Sequence, residues 1–199
     1  MKKTRGIQRV LLIAVATLIL SGAHQPAYCA DSSSTTSVSI SLQTIFSIEF
    51  YTDANVLFST TVPFTNVDPK KSIIYPDGRS ENDGKSDTAV ICSSNTGKTW
   101  YLKLHAQTAP PLTVDKVKYY ISQPYNRNTG ATSDGTLTRT PEWYPLAAEP
   151  TTIYTSGYKD MSNLPFGTIV TFSFSLIPTD LESGKTYSAA ITYTLTTSS

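Results

Sequence analysis

Alternation of apolar and hydroxyl-bearing residues is the dominant pattern of this chain, and its period of two is that of a β-strand. In residues 36–42, for example, Val38, Ile40 and Leu42 alternate with serines. No long segment repeats apolar residues at the helical spacing of three and four. The pattern predicts strands over residues 36–42, 45–51, 56–62, 72–75, 88–94, 99–106, 117–122, 152–156, 168–177 and 186–196.

These short strands and the polar segments between them predict the architecture. An antiparallel sheet with alternating strands has one apolar face, and two such sheets bury their apolar faces against each other. We therefore predict an all-β chain that folds as a single Ig-like, Greek-key antiparallel β-sandwich with two long loops, residues 63–87 and 123–150. A closed barrel is the alternative. The sandwich is expected to span residues 31–199 as one domain.

The last predicted strand has the most regular alternation. Small or hydroxyl-bearing residues occupy its even positions, and residues of one parity share a face. We expect the odd face to pack on the opposing sheet, in one core with Trp100 and Leu102. The odd positions hold Tyr187, Ala189, Ile191, Tyr193 and Leu195.

Residues 1–30 have the three parts of a secretory signal peptide: a basic start, an apolar run over residues 10–20, and a polar end with small residues. The run is shorter than the roughly 20 residues that span a bilayer. We predict cleavage near residues 29–30 and a mature protein that is secreted, extracellular or part of the cell envelope. No transmembrane segment is expected in the mature chain.

Charge excludes one class of partner. The chain has 16 Lys and Arg residues against 15 Asp and Glu, and four of the basic residues lie in the predicted leader. The mature chain then has 12 basic residues against 15 acidic, a net charge of −3. Because nucleic-acid-binding domains carry a basic surface, no nucleic-acid partner is expected.

Catalytic residues are scarce, and we predict that the protein is not an enzyme. After the predicted cleavage, His105 is the only histidine and Cys92 the only cysteine. Cys92 lies in an apolar strand segment, which favours a small buried side chain over a reactive thiol. His105 alternates with leucines, which is typical of a strand histidine that faces solvent or has its hydrogen bonds satisfied. No zinc pair, nucleophile elbow or phosphate-binding glycine loop is present, and no cofactor is expected.

Four acidic residues of one loop form the best metal candidate. Carboxylate oxygens are the ligands that Ca²⁺ prefers, but the spacing does not fit an EF-hand, and Arg79 and Lys85 partly neutralise the loop. A solvated loop without metal is the favoured interpretation. The candidate calcium ligands are Asp77, Glu81, Asp83 and Asp87.

Aromatic residues are concentrated between residues 119 and 158, several of them in predicted loops. A ring face is apolar and can stack on a sugar. Trp143, Tyr144 and Tyr125 are therefore candidates for glycan stacking. The alternative is that these rings cover sheet edges and fill the loops.

Two segments resemble the WxL domains of secreted bacterial surface proteins. Trp100-Tyr101-Leu102 resembles the first Trp-x-Leu motif, and Tyr193-Thr194-Leu195, in the closing strand, resembles the second with Tyr in place of Trp. The resemblance implies non-covalent attachment to the cell wall, with Trp100, Leu102, Tyr193 and Leu195 as binding residues. The physical alternative is that all four side chains lie in the core. The closing strand is also similar to that of fimbrial and spore-coat-type β-sandwich subunits.

These observations favour a secreted, non-catalytic β-sandwich with a structural or adhesive role at the bacterial cell surface. Its expected partners are a cell-wall or surface component, or like subunits. Residues 36–42 follow a Ser/Thr-rich start and either close their own sheet or add to a neighbour's edge. The alternative function is a carbohydrate-binding module, or a weakly active glycosidase, that uses exposed Trp and Tyr.

Overall fold

The computed structural model describes residues 46–65, 67–138, 142–161, 167–183, 185 and 187–198. The predicted leader, residues 1–30, and the predicted strand at residues 36–42 lie outside the described residues.

The described chain is built from ten strands and two short helical turns. One 3-10 turn spans Val114–Lys116, and one α-helix, α1, spans Tyr158–Met161. Within the described part, no helix has the length and apolarity needed to cross a membrane. The strands are β1 (Phe46–Tyr51), β2 (Thr88–Ser94), β3 (Tyr101–Thr108), β4 (Val117–Ile121), β5 (Tyr125–Asn126), β6 (Thr136–Leu137), β7 (Tyr144–Pro145), β8 (Thr151–Thr155), β9 (Thr168–Leu176) and β10 (Ala189–Thr196).

These strands form two antiparallel sheets. The larger has the order β1-β2-β9-β4-β7, with β5 also paired to β9, and the smaller has the order β10-β3-β8-β6. The prediction of an all-β sandwich is confirmed at this level. The Ig-like Greek-key connectivity stays a prediction.

The predicted strand at residues 56–62 is wrong. Only Val56 forms a bridge, to Ser86, and the next two amides donate hydrogen bonds to carbonyls of Ser86 and Asp87. Val56 is nevertheless buried, since it packs beneath this segment against the larger sheet. Val56 therefore covers a sheet instead of extending one, while Val62 packs on the main core and Leu57 is exposed.

The core lies between the two sheets. Val170 and Phe172 from β9 face Leu102 and Tyr154 from β3 and β8, and all four are at most 1% exposed. The odd residues of β10 pack on this core, as the alternation predicts, while its even residues from Ala190 to Thr194 are exposed.

The central strands of the larger sheet are covered on both faces. Every residue of β2 is buried, and β9 has one half-buried residue, Ser173. On the face away from the core, Ala89, Ile91 and Ile169 form a second apolar cluster with Val56. The chain between β1 and β2 therefore protects this outer face, and it also supplies part of the site described next.

Candidate functional site

Three aromatic rings meet on the outer face of the larger sheet. The register pairs Tyr119 with Tyr144 and Lys118 with Pro145, so Tyr120 and Trp143 are the next residues opposite each other. Their ring centroids are 5.9 Å apart and tilted by 46°. Tyr75, from the loop between β1 and β2, lies 6.0 Å from Trp143 at an angle of 60°. Sheet register and a long-range loop contact thus combine to build the cluster.

The rings border a cleft of about 250 Å³ that the loop at residues 75–87 closes from the other side. Ser122 and Ser173 bring hydroxyl groups to its wall, and Glu81 and Lys85 bring charged groups. All three rings are half-buried, so the fold holds each of them while part of each remains at the cleft surface. We call this site, with rings on one side and charged loop residues on the other, the aromatic cleft.

A compact ion-pair network fixes the loop side of the aromatic cleft. The Arg79 guanidinium donates two hydrogen bonds to Asp83, with N–O distances of 2.6 and 2.8 Å, and a third to Asp87. The Arg79 side chain is only 5% exposed and that of Asp87 only 1%. Positive φ angles at Asn82 and Gly84 turn the chain on either side of Asp83. The loop therefore folds back on its own arginine.

The two carboxylates of this network have opposite pKa shifts. Hydrogen bonds from Arg79 lower the pKa of Asp83 to about 2, and backbone amides of Lys85 and Ser80 add to that effect. Burial raises the pKa of Asp87 to about 6, although the Phe174 amide and Arg79 favour its charged form. Asp83 is thus an ionised partner of Arg79 at neutral pH, whereas the pKa of Asp87 lies well above that of an ordinary aspartate.

At the rim, Glu81 and Tyr75 both line the cleft. Burial raises the pKa of Tyr75, and the nearby Glu81 carboxylate raises it further. Two cationic side chains, Arg79 and Lys85, lie among the three carboxylates of Glu81, Asp83 and Asp87, so the formal local charge is −1 when all are ionised.

The candidate calcium loop does not bring its four carboxylates together. Asp83 and Asp87 converge on Arg79, which occupies the place between them, while Asp77 accepts hydrogen bonds from the amide and hydroxyl of Thr65. Glu81 lies at the rim with Tyr75. No group of three metal-ligating side chains is found among the described residues. The interpretation of the whole loop as solvated is wrong for Asp87, which is buried.

The three predicted stacking residues have three different positions. Trp143 borders the aromatic cleft, but Tyr144 points to the opposite face, where it packs on the core with its ring 6.3 Å from that of Tyr119. Tyr125 packs against the second apolar cluster. Adjacent residues of a strand point to opposite faces, which explains why Trp143 and Tyr144 separate.

The four residues of the Trp-x-Leu resemblance belong to the core or pack on it. Trp100 and Leu102 are 0% exposed, and Leu195 is half-buried above them. The Trp100 ring lies 5.5 Å from that of Tyr154. Tyr193 reaches across to the larger sheet, with its hydroxyl 3.3 Å from that of Thr88, and burial raises its pKa. This placement agrees with the physical alternative, in which all four contribute to packing.

Cys92 and His105 are the remaining candidates for chemistry. Cys92 is fully buried, as predicted, and burial raises the pKa of its thiol. His105 is half-buried rather than solvent-facing, and its Nδ1 atom has no hydrogen-bond partner among the described residues.

Asp160 is a buried polar centre that the sequence does not reveal. Its carboxylate accepts hydrogen bonds from the Ser133, Tyr154 and Thr168 hydroxyls and from the Gly157 amide. Only 1% of Asp160 is exposed. Because Tyr154 lies on β8, Thr168 on β9 and Ser133 between β5 and β6, the network ties α1 to both strands and to that loop.

The two sides of the sandwich differ at their sheet edges. On one side the edge strands β6 and β7 have two residues each. On the other side the edges are β1 and β10, with six and eight residues, and the Phe50 and Tyr193 rings meet there at 5.9 Å. Within the described part of the chain, β10 pairs only with β3 and β1 only with β2. We call this the open side.

A largely apolar groove of about 300 Å³ lies between the sheets at the open side. Its walls include Phe64, Ile191 and Tyr193, together with Phe50, which is 51% exposed. The groove and the two long edges form one continuous surface.

Sequence reasoning missed two members of the aromatic cleft, Tyr75 and Arg79. In the sequence, Tyr75 is only the last residue of a short predicted strand. Arg79 enters only as a charge that partly neutralises the candidate calcium loop. The density of acids around a single arginine was the available signal for a closed loop. No protein-family profile, curated protein or solved structure matches this chain.

Proposed function

We propose that this protein is a secreted, non-catalytic β-sandwich of the bacterial cell surface, with a structural or adhesive role exercised through its open side. The observation that carries the proposal is the β10 edge. Its eight residues contain no charged residue, no proline and no glycine. Exposed edge strands are normally protected by such residues or by shortness.

The proposed occupant of the open side is a second copy of the same chain. Edge strands pair through main-chain hydrogen bonds, and an apolar groove beside the edge accommodates alternate side chains of the added strand. The chain itself contains alternating apolar and serine residues at 36–42, which have the chemistry of such a strand. The opposite side offers only the two-residue edges of β6 and β7.

The Trp-x-Leu resemblance supports this proposal in a limited way. Trp100 and Leu102 stabilise the core, so their contribution to a surface role is indirect. Attachment to a wall component, if it accompanies assembly, then uses other residues. The alternative function, carbohydrate binding, is favoured by a separate observation, the aromatic cleft, and is developed below.

Association of the purified mature chain tests the proposal. We expect the mean mass in light scattering or sedimentation to rise with protein concentration. Thr192→Lys, on the exposed face of β10, should weaken association because an edge lysine disfavours strand addition. Thr138→Lys, beside β6, is the matched control and should leave association unchanged.

Two results would overturn the proposal. A monomer at every concentration, unchanged after deletion of residues 31–42, would exclude assembly. Recovery of the native protein only from the cytoplasm of its host would exclude the surface role.

A further inference from the structure

The aromatic cleft presents an indole that parallel stacking does not cover. The rings of Tyr75 and Tyr120 lie at 60° and 46° to that of Trp143. Tilted and edge-on neighbours hold a ring in place yet cover less of its face than a parallel neighbour does. Trp143 is thus oriented by contacts on two sides, which lowers the entropy lost when a flat apolar ligand stacks on it.

Polar groups next to these rings are suited to hydroxyl ligands. Ser122 and Ser173 carry hydroxyls that both donate and accept, and the exposed Glu81 carboxylate accepts. The Ser173 hydroxyl donates a long hydrogen bond, 3.4 Å, to the Lys85 carbonyl oxygen. A bond of that length is weak, so a ligand can replace it. Apolar ring faces beside hydroxyl and carboxylate groups match a sugar, which has apolar C–H faces and hydroxyl edges.

The local charge argues for a neutral ligand. The Arg79 guanidinium donates hydrogen bonds to Asp83, Asp87 and the Lys85 carbonyl oxygen. It therefore holds the loop and has few donors left for an anionic ligand. The remaining charges, Lys85 and Glu81, have opposite signs. A site for a strongly anionic or cationic ligand would carry an excess of the complementary charge.

The volume of the aromatic cleft limits how many sugar rings it can hold. Pockets for drug-sized molecules enclose roughly 300–1,000 Å³. The aromatic cleft, with about 250 Å³, lies just below that range. It therefore suits one sugar ring of a longer chain, the rest of which extends into solvent.

We propose that the aromatic cleft binds a neutral glycan, with one sugar ring stacked on Trp143 and its hydroxyls bonded to Ser122, Ser173 and Glu81. This site is independent of assembly at the open side, because the cleft lies on the outer face of the larger sheet and the groove lies between the sheets. Failure of one proposal leaves the other standing.

The test uses the mature chain on an array of neutral, amino-bearing and acidic oligosaccharides, followed by calorimetric titration of each neutral oligosaccharide that binds. We expect binding to at least one neutral class. Trp143→Ala should weaken it about tenfold or more, as for a stacked aromatic anchor, and Trp143→Phe should weaken it less. Tyr158→Ala removes a ring that is 79% exposed on α1, away from the cleft, and should have no effect.

A second measurement needs no variant. Trp100 is fully buried, so iodide quenching of tryptophan fluorescence reports mainly on Trp143. The bound oligosaccharide should reduce that quenching. The proposal is overturned by no binding to neutral glycans, by binding only to amino-bearing or acidic ones, by binding that Trp143→Ala leaves intact in a folded protein, or by unchanged quenching.

Discussion

The two tryptophans of this chain occupy opposite environments. Trp100 is 0% exposed between the sheets and packs at a tilt against Tyr154. Trp143 is half-buried on the outer face of the larger sheet, between two tyrosines and a charged loop. Trp100 is therefore placed to stabilise the fold, whereas Trp143 borders the aromatic cleft.

The difference between the two tryptophans shows which sequence patterns predict burial of a side chain. Trp100 is followed by alternating leucines at 102 and 104, and a strand with that pattern turns one whole face inward. Trp143 precedes a two-residue strand that ends in a proline, so its surroundings depend on chain segments far away. Alternation predicts burial, whereas a ring in irregular chain needs the structure to be interpreted.

The largest expected effect is on stability. Trp100→Ala removes a fully buried indole and should lower the free energy of unfolding by about 3–5 kcal/mol. Trp143→Ala, in the same assay, should cost about 1 kcal/mol, because a half-buried ring loses less contact area. Urea denaturation followed by circular dichroism measures both. Equal losses in the two variants would contradict the division between core and cleft.

The closing strand tests the same comparison within one element. Leu195→Ala should cost about 1–3 kcal/mol, less than a fully buried leucine does, because Leu195 is half-buried on the core. Thr194→Ala, the neighbouring residue on the exposed face, should change the unfolding free energy by less than about 0.5 kcal/mol. A larger effect at Thr194 than at Leu195 would mean that the strand presents its other face to the core.

The sequence predicts the core well for a physical reason. Strand periodicity is a local property, so the faces of β3, β9 and β10 are visible in the residues themselves. The segment at residues 56–62 has the same local character, and yet its only pairing is the Val56–Ser86 bridge, with Val56 packed on the outer face of the larger sheet. Where such a segment packs depends on strands far away in the chain, which the segment itself does not show.

The candidate site is predictable only in part. Of the three predicted stacking residues, Trp143 borders the aromatic cleft, whereas strand direction separates Tyr144 from it and Tyr125 packs on the second apolar cluster. Tyr75 reaches the site from a loop that precedes Trp143 by more than sixty residues. Long loops fold against distant strands, and composition does not specify where they land.

The smallest expected effect at neutral pH concerns the carboxylates that hold the cleft. Asp87 has a pKa of about 6 in the folded protein, above its ordinary value, so the folded state binds more protons than the unfolded state between about pH 4 and pH 6. Its contribution to stability is therefore full below about pH 4 and is lost as the pH rises through 6. Asp83 has the opposite shift, so its contribution is present above about pH 4 and is lost as the pH falls towards 2.

Two variants separate these contributions. Across pH 4 to 6, the stability of the wild type relative to Asp87→Asn should decrease as the pH rises, because only the wild type loses the proton at that position. Across pH 4 to 2, the wild type should lose stability relative to Asp83→Asn as the pH falls. Thermal unfolding at each pH measures both slopes. Suppose instead that the wild type and Asp87→Asn have the same dependence of stability on pH between 4 and 6. The Asp87 carboxylate is then already ionised at pH 4, because its bond to Arg79 outweighs its burial. The cleft would then be held by two permanent ion pairs, and its contrast with the ring packing of Trp100 on Tyr154 would be sharper than the pKa of Asp87 indicates.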